Sequence, residues 1–509
     1  MKKNFFRVVA MSALLAFGVN GAMAQRSYEC PELNPEWKAM ADQIVELNME
    51  DPEKANKVFM KLSRKIKKSK EDLVAVGTYF LENNNYPAAS QCSKMVYEED
   101  ATYIPGLMFC GEVAMKAQRW GEAGQKFDEV LSIDPENISA LKRNAFVYKN
   151  VNPHVAIDAL KKIKEVDPSY ADADKLLGDI YYKLNMYKDA VDSYELYFKN
   201  APKDETLDIR SCENFLLSLY SQAMFDRIID VAKVVLPFSP KDIIFHRMDF
   251  FAKVNKIGES IDVDGAIKVA EEAGAYMSDT DYPETEFNTN DYEYLAALNK
   301  EKGDFVAVAA AYEKALEKDS EKLANYKELS KAYNRAKDPD KAIATYQTYL
   351  DKKSATKDQK VDVIDYYTFG QQYMRAAASA TDSVKRVEYI AGGDAAFNKV
   401  LELKPGYYKA VMMQAQMHIT NPGAAEEAPK ALYEKALSMM PETGDGESTE
   451  DEVKAANNYR LIALAYLAVY YVQTDDFDNC RVYVDKMLQI DPSHPTAVQF
   501  DSALKEMGK

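Results

Sequence analysis

The chain has 509 residues, 64 of them basic and 81 acidic, for a formal net charge of −17. So acidic a surface excludes nucleic acid as the main partner, because phosphate binding needs a basic stripe that releases counterions. Five cysteines (Cys30, Cys92, Cys110, Cys212 and Cys480) scattered over this length exclude a disulfide-built scaffold, so packing has to supply the stability. The chain opens with Lys2, Lys3 and Arg7, runs apolar from Val8 to Phe17, and reaches Ala22-Met23-Ala24 before Gln25. A basic start, an apolar run too short to cross a bilayer and small residues at the cleavage-defining positions predict a secretory signal peptide over 1–24, cleaved after Ala24. Removing its three basic residues leaves a net charge of −20. No cysteine directly follows Ala24, and no later stretch is apolar enough to span a membrane, so the expected location is periplasmic or extracellular with no transmembrane segment in the mature chain.

The rest of the chain repeats itself. After a weak copy at Ala55 and Phe59, the run Leu73-Val74-Ala75-Val76-Gly77 recurs 34 residues later as Leu107-Met108-Phe109-Cys110-Gly111. Leu176-Leu177-Gly178-Asp179-Ile180-Tyr181 is a third copy, two periods on with one residue deleted. Each glycine is followed twelve residues on by an alanine, Ala89, Ala123 and Ala190; Phe127 and Tyr194 follow the last two, with Pro135 and Pro202 beyond them. Small residues let two antiparallel helices approach, the aromatics fill the space beside them, and a proline stops the second helix. Pairs such as Asp134-Pro135, Asp167-Pro168, Ser239-Pro240, Lys404-Pro405 and Asp491-Pro492 fit that stop.

Weaker copies lie at Tyr148 to Pro168, Phe215 to Pro240 and Phe250 to Ala273. Clearer ones follow, with Tyr292, Leu295, Ala296, Tyr312 and Ala315 in one, and Tyr326, Leu329, Ser330, Tyr333, Ala342 and Tyr346 in the next. Two copies, Gly370 to Pro405 and Ala415 to Pro441, carry insertions; a last one holds Leu464, Leu467, Cys480 and Val484, capped by a helix expected over Thr496 to Lys505. The spacing of small, aromatic and proline positions resembles the tetratricopeptide repeat (TPR) family over nearly the whole mature chain. The resemblance implies an all-α solenoid of stacked helical hairpins, a superhelix of about ten to twelve repeats. The acidic, turn-rich segment at 281–290 is expected to separate an N-terminal array, 25–280, from a C-terminal one, 291–509 with its capping helix, and Pro441 to Asp451 is expected to form a surface loop.

Little in the sequence points to catalysis. The four histidines (His154, His246, His418 and His494) are isolated, and there is no phosphate loop, nucleophile elbow or Cys-x-x-Cys, so neither enzyme activity nor a cofactor is expected. Ser260 to Glu271 imitates a calcium loop, with Asp262, Asp264 and Glu271 as ligands, but it starts on serine, and a repeat turn followed by a helix from about Val263 is the better reading because that register agrees with the units on either side. Cys92 and Cys110 fall on successive predicted helices and read as small buried hydrophobes, with a disulfide between them in an oxidising compartment as the alternative.

The TPR resemblance further implies that first helices line a concave groove for extended peptides. Its groove positions fall on Lys142, Phe146 and Lys149 in one unit, on Asp172, Lys175, Asp179, Tyr182 and Lys183 in the next, and later on Lys327, Lys331, Asn334 and Arg335. Basic patches in an acidic molecule are candidate docking points for carboxylates. The set of residues with which one TPR subclass grips a peptide's terminal carboxylate is absent, since Met108, Glu112, Arg143 and Leu176 stand there. The expected function is a scaffold for protein or peptide partners of the cell envelope, in assembly, secretion or polysaccharide machinery. The alternative is a glycan- or nutrient-binding component of an outer-membrane uptake system, raised by the 34 tyrosines.

Overall fold

The computed structural model describes residues 28–201, 207–357, 359–421, 427–442 and 449–508. The expected signal peptide lies outside them, as does the middle of the loop expected at Pro441 to Asp451. Among the described residues every regular element is helical: twelve antiparallel hairpins, from Pro35–Glu50 with Pro52–Ile66 to Glu450–Gln473 with Phe477–Ile490, followed by the single helix Pro495–Glu506. No described helix is long and apolar enough to cross a membrane.

The small-and-large rhythm builds each hairpin. A Cβ placed on Gly178 would lie 2.6 Å from the ring of Tyr194, and one on Gly370 would lie 2.5 Å from that of Phe397. Both rings are fully buried, so glycine is what lets the partner helix lie this close. Gly111 faces Phe127 in the same way, whereas Gly77, whose own second helix has Ser93 at the matching position, receives Phe109 from the next hairpin.

Two backbone devices set the turns. Inside seven hairpins the residue between the helices is left-handed: Asn84, Gln118, Asn185, Ala223, Gly303, Lys337 and Asp475, with φ between 53° and 74°. In each case the next amide donates to a carbonyl five residues back, as Asn85 does to Phe80 and Asp338 to Tyr333, which closes the first helix in a Schellman turn. Between hairpins the recurring feature is an aspartate whose carboxylate accepts the amide two residues on. Asp100, Asp134, Asp167, Asp319 and Asp491 all do so, at 2.9–3.3 Å. Proline follows only some of them; where it does, as at Asp167 (φ −133°, ψ 92°), the aspartate is already extended.

Contacts divide the chain into two compact units, up to Met248 and from Asp249 onward. The acidic segment 281–290 lies inside the second. There Tyr276, 5% exposed, meets Phe250, Tyr282 and Phe287 edge-on at 6.2, 6.0 and 5.9 Å, and Lys314 reaches Glu284 at 3.0 Å. Aromatic contacts thus dock it onto the helices. Within each unit first helices pack on the first helices of the next hairpin, as Lys70–Glu82 does on Ile104–Lys116 and Val363–Ser379 on Tyr408–Ile419. Second helices of successive hairpins touch one another much less, so the first helices form the inner wall.

Cys92 and Cys110 are both free; the Cys110 thiol donates to the Ser93 carbonyl at 3.2 Å, and burial pushes each thiol up to about 12.

Candidate functional site

On the inner wall of the first unit, Phe146 remains 41% exposed and leans on Trp120, 42% exposed, at 6.2 Å. One turn on, the Lys149 ammonium sits 4.4 Å over the Phe146 ring. Burial, and then the charge of Lys183, pulls the Lys149 ammonium below its ordinary range, while Asp179 opposes them. Phe146, Lys149, Asp179 and Lys183 therefore gather in one place, with Lys183 also donating to Asn150 at 3.4 Å. Asp179 faces inward as well, accepting from the Tyr194 hydroxyl at 2.7 Å, Ser211 at 3.1 Å and Asn214 at 3.4 Å. The other expected groove residues lie apart from this group. Lys142 covers the Tyr170 ring at 4.2 Å, Lys175 faces Asp172 at 3.8 Å, and Tyr182 meets Tyr187 edge-on at 5.9 Å.

In the second unit the expected basic stripe separates into different roles. Lys327 is tied to Asp365, a residue of the next hairpin that is 2% exposed, at 3.1 Å. The same carboxylate accepts from Lys353 at 2.5 Å, the Tyr349 hydroxyl at 2.8 Å and the Asp362 amide at 3.2 Å. Burial alone would raise the Asp365 carboxyl. Hydrogen bonds from Lys353, Tyr349, the Asp362 amide and Lys327 overcome that and hold it at about 2. Lys327 thus neutralises a buried charge inside its own array. Lys331 pairs with Glu328 at 2.6 Å, Asn334 joins its helix to the next by donating to Gln372, and Arg335 lies 5.7 Å over the Phe305 ring.

Two clefts open along this stripe. One, of about 490 Å³, is bordered by Lys327, Tyr349 and Lys353. The larger, of about 670 Å³, is bordered by the cations Lys337, Arg375 and Lys385, the carboxylates Asp340 and Asp382, and Asn334 and Tyr389. Lys385 is paired with Asp340, which also accepts from the Tyr389 hydroxyl at 2.7 Å. Lys337 and Arg375, both exposed, have no ion-pair partner among the described residues. Neither was expected from the sequence. Lys337 stands out only as the left-handed residue of its turn, and Arg375 lies in a hairpin whose insertion obscures the register.

The calcium-loop reading of Asp262, Asp264 and Glu271 gives way to the repeat reading. A helix runs from Val263 to Gly274, so the chain cannot wrap an ion there; the Asp262 carboxylate caps it through the Gly265 amide at 2.9 Å, and Glu271 pairs with Lys302 at 2.5 Å. Among the described residues no group of three His, Cys, Asp or Glu side chains is placed to hold a metal.

Comparison with known proteins agrees with this architecture. Residues 148–205 match the tetratricopeptide repeat family model. Sperm-associated antigen 1 of Mus musculus is 36% identical over 70 residues, 14% of this chain and 8% of that protein. A TPR repeat-containing protein of Methanocaldococcus jannaschii is 28% identical over 145 residues, 28% of this chain and 25% of that one. Both matches thus span a small part of the relatives' length. Among solved structures, the C-terminal part of a TPR repeat-containing protein from Cytophaga hutchinsonii aligns over 64% of this chain and 97% of its own, at 17% identity and a TM-score of 0.36. The tetratricopeptide repeat model thus seats on residues 148–205, and helical hairpins of the same kind are built on either side of them.

Proposed function

We propose that this protein is an exported scaffold which holds extended peptide segments of cell-envelope proteins in a cleft at the turns of two successive hairpins of its second unit, with no catalytic step. The observation that carries the reading is that cleft of about 670 Å³ beside Asn334, where Lys337 and Arg375 have no ion-pair partner among the described residues, while the carboxylates of the same lining, Asp340 and Asp382, accept from Lys385 and Tyr389 and from the Val384 amide. Such a pair recruits carboxylates of a partner segment, and the surrounding acidity rejects segments that lack them. The export signal expected over 1–24 supports a location outside the cytoplasm.

Photo-crosslinking tests this reading directly. A photoreactive amino acid at position 375 should trap a discrete protein partner in intact envelopes, while the same residue at position 347, exposed on a second helix, should trap none. Equal trapping at both positions, or trapping at 347 alone, contradicts it. In the same preparation the mature chain should begin at Gln25 by intact mass.

A further inference from the structure

The first unit already has something against its inner wall. Residues 28–34, just ahead of the helix Pro35–Glu50, are non-helical and pass across successive first helices. Tyr28 lies farthest along: its hydroxyl shares a hydrogen bond of 2.6 Å with that of Thr78 on the helix Lys70–Glu82. Its ring packs against two apolar clusters at once, one containing Leu73, Val76 and Phe80, the other containing Leu107, Met108 and Met115 of the helix Ile104–Lys116. Burial, and then the nearby Cys30, Glu112 and Glu82, push the Tyr28 phenol above its ordinary range despite the bond to Thr78. Behind it Cys30 and Leu33 turn inward to the first cluster and Pro31 is half-buried, while Glu29, Glu32 and Asn34 are exposed. The wall beneath includes a cleft of about 350 Å³ bordered by Ala75, Thr78, Tyr79 and Glu82.

Apolar residues turned to the wall between polar ones turned to solvent, led by one anchoring aromatic, is how an extended peptide lies in a groove. We infer that the stretch Tyr28–Leu33 is a built-in occupant of a peptide site on the first unit, and that the external ligand of this site is an extended protein segment led by an aromatic residue with small or apolar side chains two and five positions on. The attached segment competes with that ligand. Because it is tethered at Pro35, its effective concentration at the site reaches the millimolar range expected for a short linker, so a free peptide binds well only after the anchor lets go. This site is separate from the cleft at Lys337 and Arg375, so either can fail without the other.

The test uses a fluorescent synthetic heptapeptide with the sequence of residues 28–34, titrated into the full chain. The Tyr28→Ala variant should bind it at least tenfold more tightly than the unaltered protein does, and Tyr28→Phe, which keeps the ring, should behave like the unaltered protein. A heptapeptide with alanine in place of its tyrosine should not bind. Equal affinities for Tyr28→Ala and the unaltered protein, including no binding by either, overturn the inference. A second readout needs no variant: millimolar heptapeptide should speed amide hydrogen exchange over residues 28–34 of the unaltered protein, and unchanged exchange overturns the inference as well.

Discussion

In the first unit the inner wall begins covered: Tyr28 fills the space between the helices Lys70–Glu82 and Ile104–Lys116, and the wall it meets is mostly neutral, Ala75, Thr78, Leu107 and Met108, with Glu82 and Glu112 nearby. In the second unit the wall at Lys327 to Arg375 is set by charge. A buried carboxylate, Asp365, gathers Lys327 and Lys353, and beyond them Lys337 and Arg375 stay uncompensated beside an open cleft. One hairpin, repeated, supports both surfaces because packing uses only the small and aromatic positions and leaves the inward face of each first helix free to vary. Basic residues on that face also do two different jobs. Lys327 holds the array together, and Arg375 is available to a partner.

The largest effect should come from removing the charge that organises the second wall. Asp365→Asn leaves Lys327 and Lys353 facing each other without their counter-ion, and should cost about 3 kcal/mol, read as an earlier urea midpoint in the second unit's unfolding transition. An unchanged midpoint would remove the distinction drawn here between Lys327 and Arg375. Acid should act through the same group. Its carboxyl is lowered from 3.8 to about 2 in the folded chain, so its contribution, about 2 kcal/mol, is complete above about pH 4 and is lost as the pH falls toward 2. The acid-induced loss of stability should accordingly be smaller in Asp365→Asn than in the unaltered protein. The smallest effect belongs to the common framework. Ala223 holds a left-handed turn at φ 53°, where a side chain is strained, and Ala223→Gly should raise stability by about 1 kcal/mol in thermal unfolding. Destabilisation there would mean that the turn is not set by the Schellman geometry shared by seven hairpins.

The hairpins were legible because their signals are local. Gly111 with Phe127, and Gly178 with Tyr194, lie sixteen residues apart in sequence and meet face to face in the fold. Prolines marked several helix ends, but the more general stop is the aspartate that accepts the amide two residues on, which works equally at Asp100 and Asp319 without any proline. The walls were much less legible. Lys327 matched a groove position of the repeat, yet its partner is 38 residues away, at the start of a hairpin whose insertion blurs the register. No periodic pattern joins Lys327, Lys353 and Asp365, since their meeting depends on how three helices converge. Tyr28 precedes the first helix and belongs to no repeat, so nothing in the 34-residue rhythm could point to it.

Partner uptake rests on Lys337 and Arg375, the cations beside the cleft at the turns of two successive hairpins in the second unit. Its most direct test is capture of envelope proteins by the double charge reversal Lys337→Glu with Arg375→Glu, compared with the unaltered chain and with Lys331→Glu, whose cation is already paired with Glu328. Partner recovery should fall at least tenfold in the double variant at unchanged helicity and stay near normal in Lys331→Glu. Full recovery by the double variant would contradict the account.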